Sequence, residues 1–102
     1  MEVFYKGRTH RTKAFGEYIR ETGELVVHEG SIVSEEVVEF KTASAVKKLR
    51  EQYVDAEGIL LQDIRFVSPS AAAAFVTGYS ANGLTAWHVE KHKTLKAELS
   101  GK

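Results

Sequence analysis

The alanine-rich segment of residues 66–89, FVSPSAAAAFVTGYSANGLTAWHV, constrains the fold more than any other part of the chain. Ser68 suits a helix N-cap because its hydroxyl can accept an amide hydrogen three residues later, and Pro69 suits the first helical position, where its missing N–H costs nothing. Gly78 suits the opposite end, which favours a left-handed residue. The pattern predicts a helix over residues 69–77. Because this helix is apolar almost all round, we expect it to be buried against a sheet.

A second helix is predicted over residues 42–54, where the hydrophobic period changes to helical spacing. Its apolar face carries Ala45, Val46, Leu49 and Tyr53, while lysines, an arginine and a glutamate occupy the other side. This distribution is typical of an amphipathic helix that covers a core.

Short strands are predicted in the remaining parts of the chain. Residues 3–5 suit an edge strand, and residues 14–19 and 25–33 suit a hairpin that turns at residues 21–23. Residues 59–61 and 64–66 suit either a short strand pair or one broken strand.

The Asn82-Gly83 dipeptide suits a tight turn with positive φ, and it precedes residues 84–89, which suit a strand. For residues 94–99, a strand and a helix both remain open. The predicted fold class is α+β: residues 1–102 form one domain with a mainly antiparallel sheet and two helices.

The composition excludes several classes of protein. With no Cys, the chain can form neither disulfides nor cysteine-based metal sites. The longest apolar run, residues 71–76, is far shorter than the roughly 20 residues that cross a bilayer. Charged residues interrupt the apolar positions near the start, which does not suit a signal peptide. We therefore expect a cytoplasmic protein with no membrane partner.

Catalytic and cofactor sites are not predicted. His88 and His92 have a metal-binding spacing only on a helix, whereas a turn is expected between them. The adjacent Glu35 and Glu36 would point to opposite faces of an extended chain, so they cannot face each other as acid and base. No phosphate-binding loop is recognisable. We expect a protein that is not an enzyme and has no metal or small-molecule cofactor.

The charges are balanced in number but not in position. The net charge is zero, which disfavours tight non-specific binding to phosphates. Basic residues nevertheless gather in residues 6–13, 41–50 and 91–96, while residues 17–39 are mainly acidic. If the basic segments met in space, they would form a basic face. Ordinary solvated surface charge explains the same pattern.

The run SPSAAAAFVTGYSANG, together with Gly30-Ser31, Leu49-Arg50, Trp87 and Lys93-Thr94-Leu95, resembles the domain of unknown function 4357 family. The resemblance covers about residues 14–99. The Ser-Pro-Ser, alanine and Asn-Gly pattern before a Trp is also similar, more distantly, to RAMA domains, which are associated with adenine methylases of restriction systems. These resemblances imply a small α+β accessory module of bacterial and archaeal proteins, often attached to GIY-YIG nucleases or restriction-modification subunits. They imply no enzymatic activity.

Two functions remain open after this reading. The first is a nucleic-acid-binding accessory module, for which the resemblance implies DNA and a nuclease or methylase as partners. Its basic side chains would contact phosphates, and the residues around Asn-Gly would supply hydrogen bonds and a stacking surface. The predicted contact residues are Lys6, Arg8, Arg11, Lys13, Ser70, Ser80, Asn82, Gly83, Thr85 and Trp87. The second is a protein-interaction module that uses a sheet edge or the acidic segment 17–39. For Trp87, a place in the core also remains open.

Overall fold

The computed structural model describes residues 1–7 and 11–101, in which helices cover one face of an antiparallel sheet. The strands are β1 (Glu2–Lys6), β2 (Lys13–Ile19), β3 (Glu24–Val27), β4 (Ile64–Phe66), β5 (His88–Glu90) and β6 (Lys93–Thr94). The helices are α1 (Ala43–Tyr53), α2 (Pro69–Thr77), α3 (Gly83–Ala86) and α4 (Leu95–Ser100). The strand order is β4-β3-β2-β1-β5-β6, and each neighbouring pair is antiparallel. The α+β prediction is thus confirmed.

Alternation along the strands separates a buried face from an open one. Side chains of one face pack beneath the helices, and the buried members are Val3, Ala14, Leu25, Val27 and Phe66. Leu25 is the cross-strand partner of Phe66, and Val3 and Val27 are both partners of Gly16. On the other face, none of the described strand residues is buried. Half of the sheet surface therefore faces solvent.

Both helices predicted from the sequence are confirmed. The Ser68 hydroxyl accepts the Ala71 N–H at 3.1 Å, and Gly78 ends α2 in the left-handed conformation with φ of 81°. Phe75 and Val76 of α2 are fully buried, and the ring centroid of Phe75 lies 5.2 Å from that of Phe66 in β4. The predicted helix over residues 42–54 spans Ala43–Tyr53.

The prediction for the chain after α2 is wrong at its turn and its strand. Asn82 has φ of −81° and its side-chain oxygen accepts the Leu84 N–H at 3.0 Å, so it caps α3 and does not form a positive-φ turn. The strand predicted over residues 84–89 begins only at His88. An Asn cap and an Asn-Gly turn have the same local sequence, and packing against α2 decides between them. Residues 94–99, left open, lie mostly in α4.

Two strand predictions also change. The strand over residues 3–5 is not an edge strand, because β1 pairs with β2 on one side and with β5 on the other. The hairpin of β2 and β3 is confirmed, but β3 ends at Val27, and Ile32 makes only isolated bridges to Lys13 and Ile59. Among the described residues, no helix has the length and apolar character needed to cross a membrane.

Candidate functional site

The segment from Ser68 to Trp87 forms a packing corner between α2 and α3. Trp87 is fully buried, and its Nε1–H donates to the carbonyl oxygen of Pro69 at 3.1 Å. The Gly83 N–H donates to the Ser70 hydroxyl at 2.9 Å, and a Cβ on Gly83 would lie 2.1 Å from the carbonyl carbon of Pro69. The prediction of Trp87 as a nucleic-acid contact is therefore corrected, because no base can reach its ring. Gly83 is likewise buried, and its N–H already has an internal acceptor.

Three other predicted contact residues, Ser80, Asn82 and Thr85, are exposed beside this corner. The Asn82 side chain caps α3, and the Thr85 hydroxyl donates to the Asn82 carbonyl oxygen at 3.1 Å. Both side chains thus already stabilise the short helix. Contact of these three residues with a nucleic acid stays a prediction.

The predicted basic contacts lie at the end of β1 and the start of β2. Lys6 and Lys13 are directly opposite each other, are both exposed and point to the open face of the sheet; we call them the lysine pair. Arg11 is also exposed, with its guanidinium 3.6 Å from the Glu35 carboxylate. Arg8 lies outside the described residues.

Four ring side chains form a row across the open face, which we call the aromatic row: His88, Phe4, Phe15 and His28. Phe4 is the cross-strand partner of both His88 and Phe15, and the His28 N–H donates to the Phe15 carbonyl oxygen at 2.9 Å. Ring centroids are 5.8 Å apart for Phe4 and His88 and 6.1 Å apart for Phe15 and His28. With strands about 4.8 Å apart, the row extends over about 14 Å.

The aromatic row is accessible to a ligand. Phe15 is 44% exposed, and the other three rings are partly exposed. No element among the described residues buries this face, since every described strand residue on it retains exposed surface. Contiguous exposed apolar surface is typical of binding surfaces, which makes the aromatic row a candidate site.

Charge differs on the two sides of the aromatic row. The lysine pair lies two residues further along β1 and β2, about 7 Å from the row. On the opposite side of the row, Glu2 and Glu17 are cross-strand partners, and each lies two residues from the phenylalanine of its strand. An anionic ligand lying on the row is therefore drawn towards the lysine side and repelled from the glutamate side.

At the outer end of the row, His28 contacts Asp63. The His28 Nδ1 lies 3.3 Å from Asp63 Oδ2, and the Glu29 N–H donates to Asp63 Oδ1 at 2.9 Å. The hydrogen bond from Glu29, and to a lesser extent that with His28, lower the pKa of the Asp63 carboxyl. These contacts hold the loop after β3 beside Phe15.

The basic segments of the sequence do not merge into one face. Lys91 follows β5 at the end of the sheet beyond Glu2, away from Lys6, because β5 runs antiparallel to β1. Arg50 turns inward and donates to backbone carbonyls. The lysine pair, by contrast, lies beside the aromatic row.

Sequence reasoning identified the lysine pair but missed Phe4 and Phe15. Both phenylalanines alternate along their strands with small or apolar residues of the core face. The sequence therefore indicates that each phenylalanine lies on the opposite face of its strand from these neighbours. It does not reveal which face the helices cover. The signal that could have identified them is the pairing of Phe4 and Phe15 on neighbouring strands, both flanked by charged residues two positions away.

Comparison with known proteins gives a family but no activity. No match was found among curated proteins or solved structures. One family model matches residues 4–98, and its description is Domain of unknown function (DUF4357). The match begins within β1 and ends within α4, so it includes strands β2 to β6, most of β1 and the packing corner. The chain therefore belongs to the DUF4357 family.

Proposed function

We propose that this domain binds single-stranded nucleic acid on the open face of its sheet, with bases stacked on the aromatic row and phosphates held by the lysine pair. The observation that carries the proposal is the row of four neighbouring rings on an uncovered sheet face beside two lysines. Sheet-borne aromatic side chains are a recurrent means of binding unpaired bases. The domain would act as a non-catalytic module.

Stacking supplies most of the expected affinity. Each base stacked on an aromatic side chain contributes about 1–3 kcal/mol. Phe4 and Phe15 are adjacent at the centre of the aromatic row, so two bases can occupy neighbouring positions. The preference should be for single strands, because bases within a duplex already stack on each other and cannot cover the rings.

Electrostatic attraction contributes less, in keeping with the zero net charge. Two phosphate contacts on a single strand give a slope of log K against log salt of about −1.4. The glutamates on the far side of the row further weaken attraction, and they also orient the strand with its phosphates towards the lysine pair.

The family resemblance supports DNA of a restriction-modification or nuclease system as the natural ligand. In that setting the module would work in the bacterial cytoplasm beside a GIY-YIG nuclease or a methylase. Its task would be to hold a displaced or unpaired strand for the partner enzyme.

The proposal is tested by fluorescence anisotropy with a labelled ten-nucleotide single strand and the matching duplex at low salt. The critical variant is Phe15→Leu, and its matched control is Tyr79→Leu, because Tyr79 is 48% exposed but lies outside the sheet face. We expect Phe15→Leu to weaken single-strand binding about tenfold, as loss of one stacked base predicts. Tyr79→Leu should leave the affinity unchanged. Equal affinities for wild type and Phe15→Leu, or no single-strand binding at low salt, would overturn the proposal.

A further inference from the structure

We propose that a second site, separate from the sheet face, binds a basic and partly apolar segment of a partner protein. The site is a cleft of about 900 Å³ between the segment of residues 32–38, the C-terminal end of α1 and the loop of residues 55–58. We call it the acidic cleft. None of the four rings of the aromatic row lines it, so the two surfaces are distinct.

The acidic cleft has an apolar surface that the fold leaves uncovered. Val38 is 50% exposed and Tyr79 is 48% exposed, although both are large hydrophobic side chains. Ile32 and Val54, which are partly buried, continue this surface into the cleft. Its volume lies near the upper end of the range for ligand pockets, which is about 300–1,000 Å³. The acidic cleft can therefore accept apolar side chains as well as charged groups.

Negative charge dominates the rest of the lining. Its carboxylates belong to Glu35, Glu36, Glu51, Asp55 and Glu57. Among the described lining residues, two guanidinium groups, those of Arg11 and Arg50, oppose them, which leaves an excess of three negative charges in that part of the lining. Arg11 already contacts Glu35 at 3.6 Å, and Arg50 directs its N–H groups at carbonyl and hydroxyl oxygens of the protein. A ligand with several positive charges would complement this field.

The distribution of the carboxylates favours an extended cation. Among the described residues, no three His, Asp or Glu side chains come close enough together to hold a metal ion. Asp55 is also engaged locally, because its Oδ1 accepts the N–H groups of Glu57 and Ile59. The described carboxylates are thus distributed along the lining, which also contains the apolar side chains of Val38 and Tyr79. A segment in which lysine or arginine side chains alternate with apolar ones would bring both kinds of group to this surface.

A nucleic acid does not fit the acidic cleft, because its phosphates would meet the same excess of carboxylates. The partner is therefore a protein, and its segment is basic. This arrangement would let the domain hold a partner enzyme in the acidic cleft while its sheet face remains free.

The experiment uses three fluorescent nine-residue peptides as probes: alternating lysine and leucine, alternating lysine and serine, and alternating glutamate and leucine. Anisotropy gives the affinities, and amide-shift mapping of the whole chain gives the location. We expect the lysine-leucine peptide to bind at least tenfold more tightly than either of the others, with shifts at residues 32–38, 51–58 and 79. The double variant Glu51→Lys/Glu57→Lys should weaken this binding at least tenfold, and Tyr79→Leu should weaken it as well.

Phe15→Leu is the matched control and should leave peptide binding unchanged. The inference is overturned if the lysine-serine peptide binds as tightly, if charge reversal has no effect, or if the shifts lie on the sheet face. Each variant is checked by its amide spectrum, so that a loss of fold is recognised. Because the probes carry no phosphate, their binding is independent of the outcome for single strands.

Discussion

The guanidinium of Arg50 donates to the carbonyl oxygen of Phe75 from both Nε, at 3.1 Å, and Nη2, at 2.7 Å. Its Nη1 also donates to the Ser34 carbonyl oxygen at 2.7 Å. One side chain of α1 thus caps the C-terminal end of α2 and fixes the segment that lines the acidic cleft. Burial lowers the pKa of Arg50 to about 10, so the group stays charged at neutral pH. Within the described residues its charge is met by carbonyl dipoles and not by a carboxylate.

Arg50→Met should therefore destabilise the fold strongly. The substitution leaves the carbonyl oxygens of Ser34 and Phe75 without these donors, and we expect a loss of about 2–4 kcal/mol in the free energy of unfolding. Arg50→Lys should recover only part of this loss, because one ammonium group cannot reproduce the planar fork. Urea denaturation measures the change. The control is Lys48→Met, an exposed position of the same helix, with an expected effect below about 0.5 kcal/mol. Equal effects at the two positions would contradict the capping role.

The parts of the fold that follow local rules could be predicted from the sequence. Ser68 and Gly78 determine the ends of α2 through contacts within a few residues, and both predictions are confirmed. Gly83 and Trp87, by contrast, donate to Ser70 and Pro69 at the start of α2, which lie thirteen and eighteen residues earlier in the chain. The exposure of Phe15 could not be predicted for a different reason. Alternation shows which side chains of β2 share a face with Phe15, but it does not show which face of the sheet the helices cover. Of the candidate site, therefore, the lysine pair could be predicted from the sequence, whereas the aromatic row could not.

Gly83→Ala tests the packing corner. A methyl group there would lie 2.1 Å from the Pro69 carbonyl carbon and 2.2 Å from the Ser70 nitrogen, and backbone atoms cannot move aside easily. We expect a loss of more than about 3 kcal/mol, or failure to fold. Gly23→Ala is the control, because Gly23 has positive φ but nothing within 4 Å of its added Cβ, and it should cost about 1–2 kcal/mol. Thermal and urea unfolding measure both. A milder effect at Gly83 than at Gly23 would refute the close packing.

Trp87→Phe provides a second measurement on the same corner in a protein that should still fold. The substitution removes the donor to the Pro69 carbonyl oxygen and leaves space in the core. We expect a loss of about 1–3 kcal/mol in unfolding free energy. If Trp87 contributes only to packing, single-strand binding by the folded variant should match that of the wild type. Weaker single-strand binding by the folded variant would contradict a role for Trp87 in packing alone.

Glu17→Gln should tighten single-strand binding. Glu17 lies on the glutamate side of the aromatic row, and the replacement removes one charge that repels phosphate. At about 14 Å in water, that repulsion is about 0.3 kcal/mol, which corresponds to a gain in affinity of about 1.6-fold. The gain should vanish at high salt, where exposed charges are screened. Glu21→Gln, in the exposed turn after β2, is the control and should leave affinity unchanged. Weaker binding by Glu17→Gln would argue against the proposed orientation of the strand.

Acidification should weaken the attachment of α4 to the sheet. Glu98 accepts from the Lys93 ammonium at 2.7 Å and from Arg20 at 3.2 Å, and chiefly the Lys93 contact lowers its pKa below 4.5. A carboxyl with a lowered folded pKa stabilises the native state above its unfolded pKa, and this contribution is lost as pH falls through the folded pKa. The free energy of unfolding should therefore fall between pH 7 and pH 3, and Glu98→Gln should show a smaller fall. Both are measured by urea denaturation at each pH. An identical pH dependence in the variant would show that the ion pairs of Glu98 contribute nothing to stability.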